Sequence, residues 1–259
     1  VPSDKRQRQR ENTRARQQAV AAAQQQAKRR RTFLFGGVIV VLFAAAIIYA
    51  ISQGGDDEKT NVDANATTTT LKVNKVACAP KEGTVERTTT FSGPPKMCID
   101  KDKSYTALVT TDVGDVEIKL FPKTAPETVN NFVFLARNKF YEGVTFHRVL
   151  KGFMIQGGDP EGTGSGGPGY TIPDEFSSAH KFKVGDVAMA KTAAPDSGGS
   201  QFFVVIGPQG EALPPQYSYF GHVTKGLEVV QAIEADGADS DPTPPAVVHK
   251  IMSVTITEE

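Results

Sequence analysis

Tryptophan is absent from this 259-residue chain, cysteine occurs only twice, and no Gly-Lys-Ser/Thr tripeptide appears anywhere. The missing tripeptide excludes a Walker-type phosphate loop. The two cysteines, Cys78 and Cys98, have no histidine beside them, which argues against a zinc site of the Cys/His type. An excess of one charge is missing as well, with 29 Lys/Arg against 29 Asp/Glu. That balance is a sum of opposites. Residues 1–31 carry ten Lys/Arg against two Asp/Glu, net +8, whereas residues 104–259 carry eleven against nineteen, net −8.

Long apolar runs are rare too, with one exception. Residues 33–51 (FLFGGVIVVLFAAAIIYAI) contain no charge. As a helix rising ~1.5 Å per residue they span about the ~30 Å hydrocarbon core of a bilayer. A single transmembrane helix is expected, its basic flank at Lys28-Arg29-Arg30-Arg31 kept in the cytoplasm and all that follows placed outside. A cleaved signal peptide competes, but the run exceeds the usual ~7–15 residues of a signal core. The basic arm, residues 1–32, reads as a solvated segment drawn to anionic lipid rather than a nucleic-acid binder. Residues 52–103, rich in Gly, Asp, Asn and Thr, read as an extracytoplasmic linker or stalk. In that compartment Cys78 and Cys98 could close a loop of about twenty residues, and spacing alone leaves the pairing open.

From Ser104 onward the pattern changes to short β-type runs bounded by turns. Strands are expected at 106–111, 115–121, 144–150, 153–156, 187–190, 201–206, 219–223 and 250–257. One helix opens at Thr124-Ala125-Pro126-Glu127, with Thr124 a candidate cap and Val129, Phe132, Val133 and Ala136 on a core face. A second covers 227–235. Together they give a mainly β fold, a closed eight-stranded antiparallel β-barrel capped by two α-helices.

The stretch FHRVLKGFMIQGGDPEGTGSGGPG, residues 146–169, contains a literal G-x-G-x-x-G at Gly162, Gly164 and Gly167. A dinucleotide fingerprint must run into a helix, and here Pro168 and Pro173 forbid one. The glycines are therefore expected to form a tight irregular loop. On alternating strands Arg148, Phe153 or Met154, Gln201 and Phe203 face one groove. That set supplies an apolar pocket, one cation and two amides. It holds neither paired carboxylates nor a nucleophile with an adjacent base, so glycoside hydrolysis and proteolysis lack their parts.

The segments VTFHRVLKGFMIQGGDP, GSQFFVV and YFGHVTKG, in that order, closely resemble those of cyclophilins, the peptidyl-prolyl cis-trans isomerases. The match runs from about Tyr105 to Thr257, and a membrane anchor ahead of such a domain resembles an actinobacterial arrangement. The resemblance implies that Arg148 is the catalytic arginine aimed at the prolyl nitrogen, with Gln201 supporting it and His147 lining the site without acting as a base. It also implies a proline pocket of Phe153, Met154 and Phe203 with Leu213 on its wall, and Gln156 engaging a substrate carbonyl. Ala190 and Lys191 would hold the residues before proline. Tyr217 stands where eukaryotic members carry histidine, and Ala212 where they carry the tryptophan missing here, which implies weak cyclosporin binding. His180, His222 and His249 read as incidental.

The expected activity is isomerisation of X-Pro bonds in polypeptides folding beyond the membrane, by a monomeric domain needing neither metal nor organic cofactor. A non-catalytic proline-peptide binding or holdase module is the alternative.

Overall fold

The computed structural model describes residues 75–259. The expected basic arm and transmembrane span lie outside the described residues. Among the described residues no helix is long and apolar enough to cross a membrane.

Eight strands form one antiparallel sheet: β1 (Tyr105–Thr111), β2 (Gly114–Leu120), β3 (Arg148–Leu150), β4 (Met154–Gly157), β5 (Asp186–Met189), β6 (Phe202–Val205), β7 (Tyr219–Lys225) and β8 (Ile251–Glu258). Their order is β3-β4-β6-β5-β7-β2-β1-β8. Period-two alternation sends Tyr105, Ala107 and Val109 of β1, and Val116, Ile118 and Leu120 of β2, into one core. Phe132, Tyr141, Phe202 and Phe220 fill it, with Phe132 at 5.3 Å from Phe220 and 5.7 Å from Phe202 between ring centroids.

No strand pairs β3 with β8, so the ladder has two ends where a closed barrel was expected. Residues 143–146 cross the gap instead: the Ile251 N–H donates to the Val144 carbonyl at 2.8 Å and the Phe146 N–H to the His249 carbonyl at 2.9 Å. Committed to that crossing, residues 144–147 do not extend β3, which is shorter than the run of 144–150 suggested.

Among the described residues three helices accompany the sheet: α1 (Pro126–Arg137), α2 (Pro208–Glu211) and α3 (Leu227–Ala235). The four-residue α2 was not foreseen. Nor is Thr124 the cap of α1. The Glu175 carboxylate, 47 residues away, accepts the Thr128 N–H at 2.8 Å and the Glu127 N–H at 3.0 Å, placing negative charge at the helix N-terminus.

Helix α1 is buried from Thr128 through Arg137, far more than its apolar stripe requires. The reason is that residues 75–103 are not a free stalk. Ile99 enters the core, Phe91 sits 4.9 Å from Phe134, and Asn130 holds the segment by donating to the Lys96 carbonyl and accepting the Cys98 N–H. Cys78 and Cys98 are joined as a disulfide within this segment. The described part of the linker expected over 52–103, residues 75–103, is thus anchored on the domain at a few points, because a few apolar anchors and backbone hydrogen bonds suffice where a ready-made helix face lies beneath them.

Candidate active site

Register builds the site. Arg148 opens β3 opposite Gln156 of β4, Gln156 lies opposite Phe203 of β6, and Phe203 opposite Ala188 of β5. One row across four strands therefore carries a cation, an amide and an aromatic ring on the same outer face. The next row, two residues along, carries Leu150, Met154 and Val205. Alternation separates neighbours: Phe202 belongs to the inner core, while Phe203 packs in a second cluster with Met154, Phe182 and Val205.

Above this cluster opens a cavity of about 90 Å³ lined by Arg148, Phe153, Met154, Gln156, Ala190, Lys191, Phe203, Leu213 and Tyr217. The structure brings together all nine of these sequence-expected residues. Tyr217 stands edge-on to Phe203 at 5.3 Å, and the Arg148 guanidinium lies 5.6 Å from the centre of the Phe153 ring. Lys191, although on the rim, spends its charge elsewhere. Its ammonium is 3.1 Å from the Asp174 carboxylate and 5.2 Å from the centre of the Phe176 ring.

A chain of amides holds the guanidinium. Arg148 Nη1 donates to Gln156 Oε1 at 3.1 Å, Gln156 Nε2 to Gln201 Oε1 at 3.0 Å, and Gln201 Nε2 to the Gly166 carbonyl at 2.9 Å. Gln201 lies outside the small cavity and acts on Arg148 through Gln156. It lines an adjoining cleft of about 660 Å³ with Gln156, the glycine-rich loop, Ala190 and Lys191.

His147 is also outside the small cavity. Its ring is half-buried beside Gly164, and neither ring nitrogen has a hydrogen-bond partner. Burial lowers its pKa against the opposing pull of Asp159, favouring the neutral ring. His147 thus sits just before β3, against the glycine loop at Gly164, rather than among the residues lining the small cavity.

The glycine-rich loop binds a carboxylate of its own chain. Asp159 Oδ2 accepts the N–H groups of Gly164 at 2.7 Å, Thr163 at 2.9 Å and Gly166 at 3.1 Å, and Oδ1 that of Glu161 at 2.8 Å. Burial alone would raise the Asp159 pKa, but these donors outweigh it and the carboxylate is favoured. A Cβ at Gly166 would sit 2.0 Å from Asp159 Oδ1, which is why glycine is required there. The loop forms the outer wall of the cleft.

Asp241 was missed. It lies 93 residues beyond Arg148 and accepts Arg148 Nε through Oδ1 at 2.9 Å and Oδ2 at 3.1 Å, with Nη2 also bonded to Oδ2. Of five guanidinium N–H groups, three are engaged, leaving one on Nη1 and one on Nη2. The only hint in sequence is an aspartate before proline in a loop, which by itself points nowhere. His180, His222 and His249, read as incidental, are each bonded to carboxylates: the first two to Asp186, the third to Asp112 and Asp236.

Residues 106–256 match the family model described as cyclophilin type peptidyl-prolyl cis-trans isomerase/CLD. The chain is 41% identical over 165 residues to peptidyl-prolyl cis-trans isomerase A of Mycobacterium tuberculosis, covering 56% of this chain and 90% of that protein. It is 39% identical over 180 residues to the mouse peptidylprolyl isomerase domain and WD repeat-containing protein 1, spanning 68% of this chain and only 27% of that longer protein. A crystal structure of a Cryptosporidium parvum cyclophilin type peptidyl-prolyl cis-trans isomerase, determined in the presence of the dipeptide Ala-Pro, superposes with a TM-score of 0.55 at 31% identity, covering 60% of this chain and 99% of that one.

Proposed function

Because the chain belongs to the cyclophilin-type peptidyl-prolyl cis-trans isomerase family, we propose that its groove accelerates rotation about X-Pro bonds of polypeptides. The observation that carries this reading is the row Arg148–Gln156–Phe203, which sets a clamped guanidinium with two free N–H groups beside a small apolar cavity. The proline ring enters among Phe153, Met154, Phe203 and Leu213. Extended backbone on either side lies along Ala190, Lys191 and the glycine loop.

The chemistry follows from the amide. Rotation costs ~18–20 kcal/mol because the nitrogen lone pair is delocalised into the carbonyl. As the bond twists, the lone pair localises, the nitrogen becomes pyramidal, and it becomes a hydrogen-bond acceptor it was not in the planar state. A donor fixed at that point stabilises the twisted state more than either planar one. Gln156 and Asp241 hold the guanidinium in place beforehand, so little reorganisation accompanies the twist. No proton moves and no bond breaks, which fits a neutral His147.

The setting proposed is extracytoplasmic, with residues 33–51 as a single-pass anchor, the basic arm inside and the catalytic domain acting as a monomer outside. The Cys78–Cys98 disulfide supports an oxidising compartment. Clients would be newly exported chains whose X-Pro bonds otherwise isomerise in tens to hundreds of seconds. The test is exchange spectroscopy on an Ala-Pro-containing peptide with the full chain. Catalysis predicts cis-trans exchange raised far above the uncatalysed rate at substoichiometric protein. Binding with an unchanged exchange rate would instead establish a peptide-binding module.

A further inference from the structure

A second row of chemistry crosses β5, β7 and β2. Asp186 of β5 lies opposite His222 of β7, and His222 opposite Lys119 of β2. The Asp186 side chain is 3% exposed and each of its oxygens is used: Oδ2 contacts His180 Nε2 at 2.9 Å and Oδ1 contacts His222 Nδ1 at 2.8 Å. The Lys183 backbone N–H adds a third bond, to Oδ2. The His180 ring stacks on Tyr219 at 3.8 Å between centroids. Gly185, at φ +92°, leaves room for the other ring, since a Cβ there would lie 3.0 Å from His222 Cε1. Both imidazoles are thus held in place by a buried carboxylate, a stacked ring and a glycine.

Over them opens a cavity of about 710 Å³, walled by Phe121 and Tyr219 and edged by Lys119, Lys181 and Lys183. It shares no lining residue with the proline cavity. Buried Phe182 turns inward, so Lys181 and Lys183 fall on the same outer side. Of the eleven Lys/Arg in residues 104–259, six hold carboxylates: Lys123, Arg137, Arg148, Lys151, Lys191 and Lys225. Five have no carboxylate partner among the described residues, and three of these five line this one cavity. In a segment of net −8, three unpaired ammonium groups around two imidazoles make a local positive field. The single carboxylate present is already spent on the histidines.

We propose that this cavity binds a phosphate-type anion bearing an apolar or aromatic group. Lysines act on phosphate as mobile point charges, the fixed imidazoles offer N–H donors when protonated, and Phe121 and Tyr219 supply a face for the attached group. The ligand could be a soluble phosphorylated molecule or a phospholipid headgroup, and the experiment separates the two.

The four histidines give four ring signals by NMR, two inside the proposed site and two outside it. The full chain in phosphatidylcholine nanodiscs is titrated at constant ionic strength with inorganic pyrophosphate and with adenosine monophosphate. Saturable shifts of His180 and His222, with His147 and His249 unmoved, are expected. The triple variant Lys119→Gln, Lys181→Gln, Lys183→Gln, all at exposed positions, should weaken binding at least tenfold and leave X-Pro exchange activity unchanged. Shifts on adding phosphatidic acid to the nanodisc, without soluble ligand, assign the site to a headgroup. A response confined to the soluble probes assigns it to a soluble ligand. No saturable response to any of these up to about 10 mM, or equal affinity in the triple variant, overturns the proposal.

Discussion

Replacing Asp241 by alanine isolates the positioning of Arg148 from its chemistry. The carboxylate takes Nε and Nη2 and leaves Nη1 to Gln156, so the variant frees one side of the guanidinium plane. The two side chains are 35% and 47% exposed, and solvent screening limits such a pair to about 1 kcal/mol. The acceptor in the twisted amide is a neutral nitrogen, so orientation outweighs the change in net charge. A loss of about 1 kcal/mol corresponds to roughly fivefold in rate, and Asp241→Ala should lower kcat/KM by roughly threefold to fivefold. Exchange spectroscopy or a proline-limited refolding assay measures it. In an Arg148→Ala background the same change should have no further effect, because its partner is gone. A faster Asp241→Ala variant would show that the carboxylate competes with substrate for the guanidinium. An equal loss in both backgrounds would show that the effect does not pass through Arg148. Hydrogen bonding to Arg148 holds the Asp241 carboxyl below its ordinary range, so the clamp should persist as pH falls to the usual carboxylate value and fail only below it.

Two further outcomes follow from ion pairs that tie the ends of the domain together. Glu258 accepts Lys81 at 2.8 Å, Lys103 at 2.9 Å and buried Arg137 at 3.0 Å, which hold its pKa at about 2. Glu258→Gln should cost about 2 kcal/mol in urea unfolding at pH 7, mostly through the buried guanidinium left uncompensated. Since the carboxyl is depressed, the difference from wild type is full above the ordinary carboxylate range and shrinks as pH falls toward about 2. His249 shows the opposite sign. Burial pulls its pKa down, but hydrogen bonds to Asp236 and Asp112 outweigh it and the value is raised. Its contribution is complete below the ordinary histidine value and is lost as pH rises through the raised one. His249→Gln should therefore remove part of the loss of thermal stability that wild type shows as pH rises above the ordinary histidine value.

What could be read from the sequence is what depends on period and register. Alternation alone placed Phe203 in the groove, and once two strands pair through Arg148 and Gln156 the rest of the row follows. Contacts that depend on distant loops could not be read. Asp241 reaches Arg148 from a loop with no periodic pattern, and Glu175 caps α1 from 47 residues away. Residues 75–103 looked like linker because they carry few apolar residues; their docking rests on Ile99, Phe91 and the amide of Asn130, none of which leaves a pattern. The histidines misled for a related reason. His180 and His222 are 42 positions apart; the first reaches Asp186 from six residues away, and the pairing of β5 with β7 brings the second to the same carboxylate.

The central claim is that a fixed guanidinium at residue 148 stabilises the twisted amide. The most direct measurement is X-Pro exchange by the full chain and by Arg148→Ala, with peptide affinity determined alongside. The account predicts a fall in kcat/KM of about a hundredfold, roughly 2.7 kcal/mol, with peptide affinity nearly unchanged, because the lost bond forms only in the twisted state. An Arg148→Ala variant within twofold of wild type, or one whose loss lies wholly in peptide affinity, would contradict it.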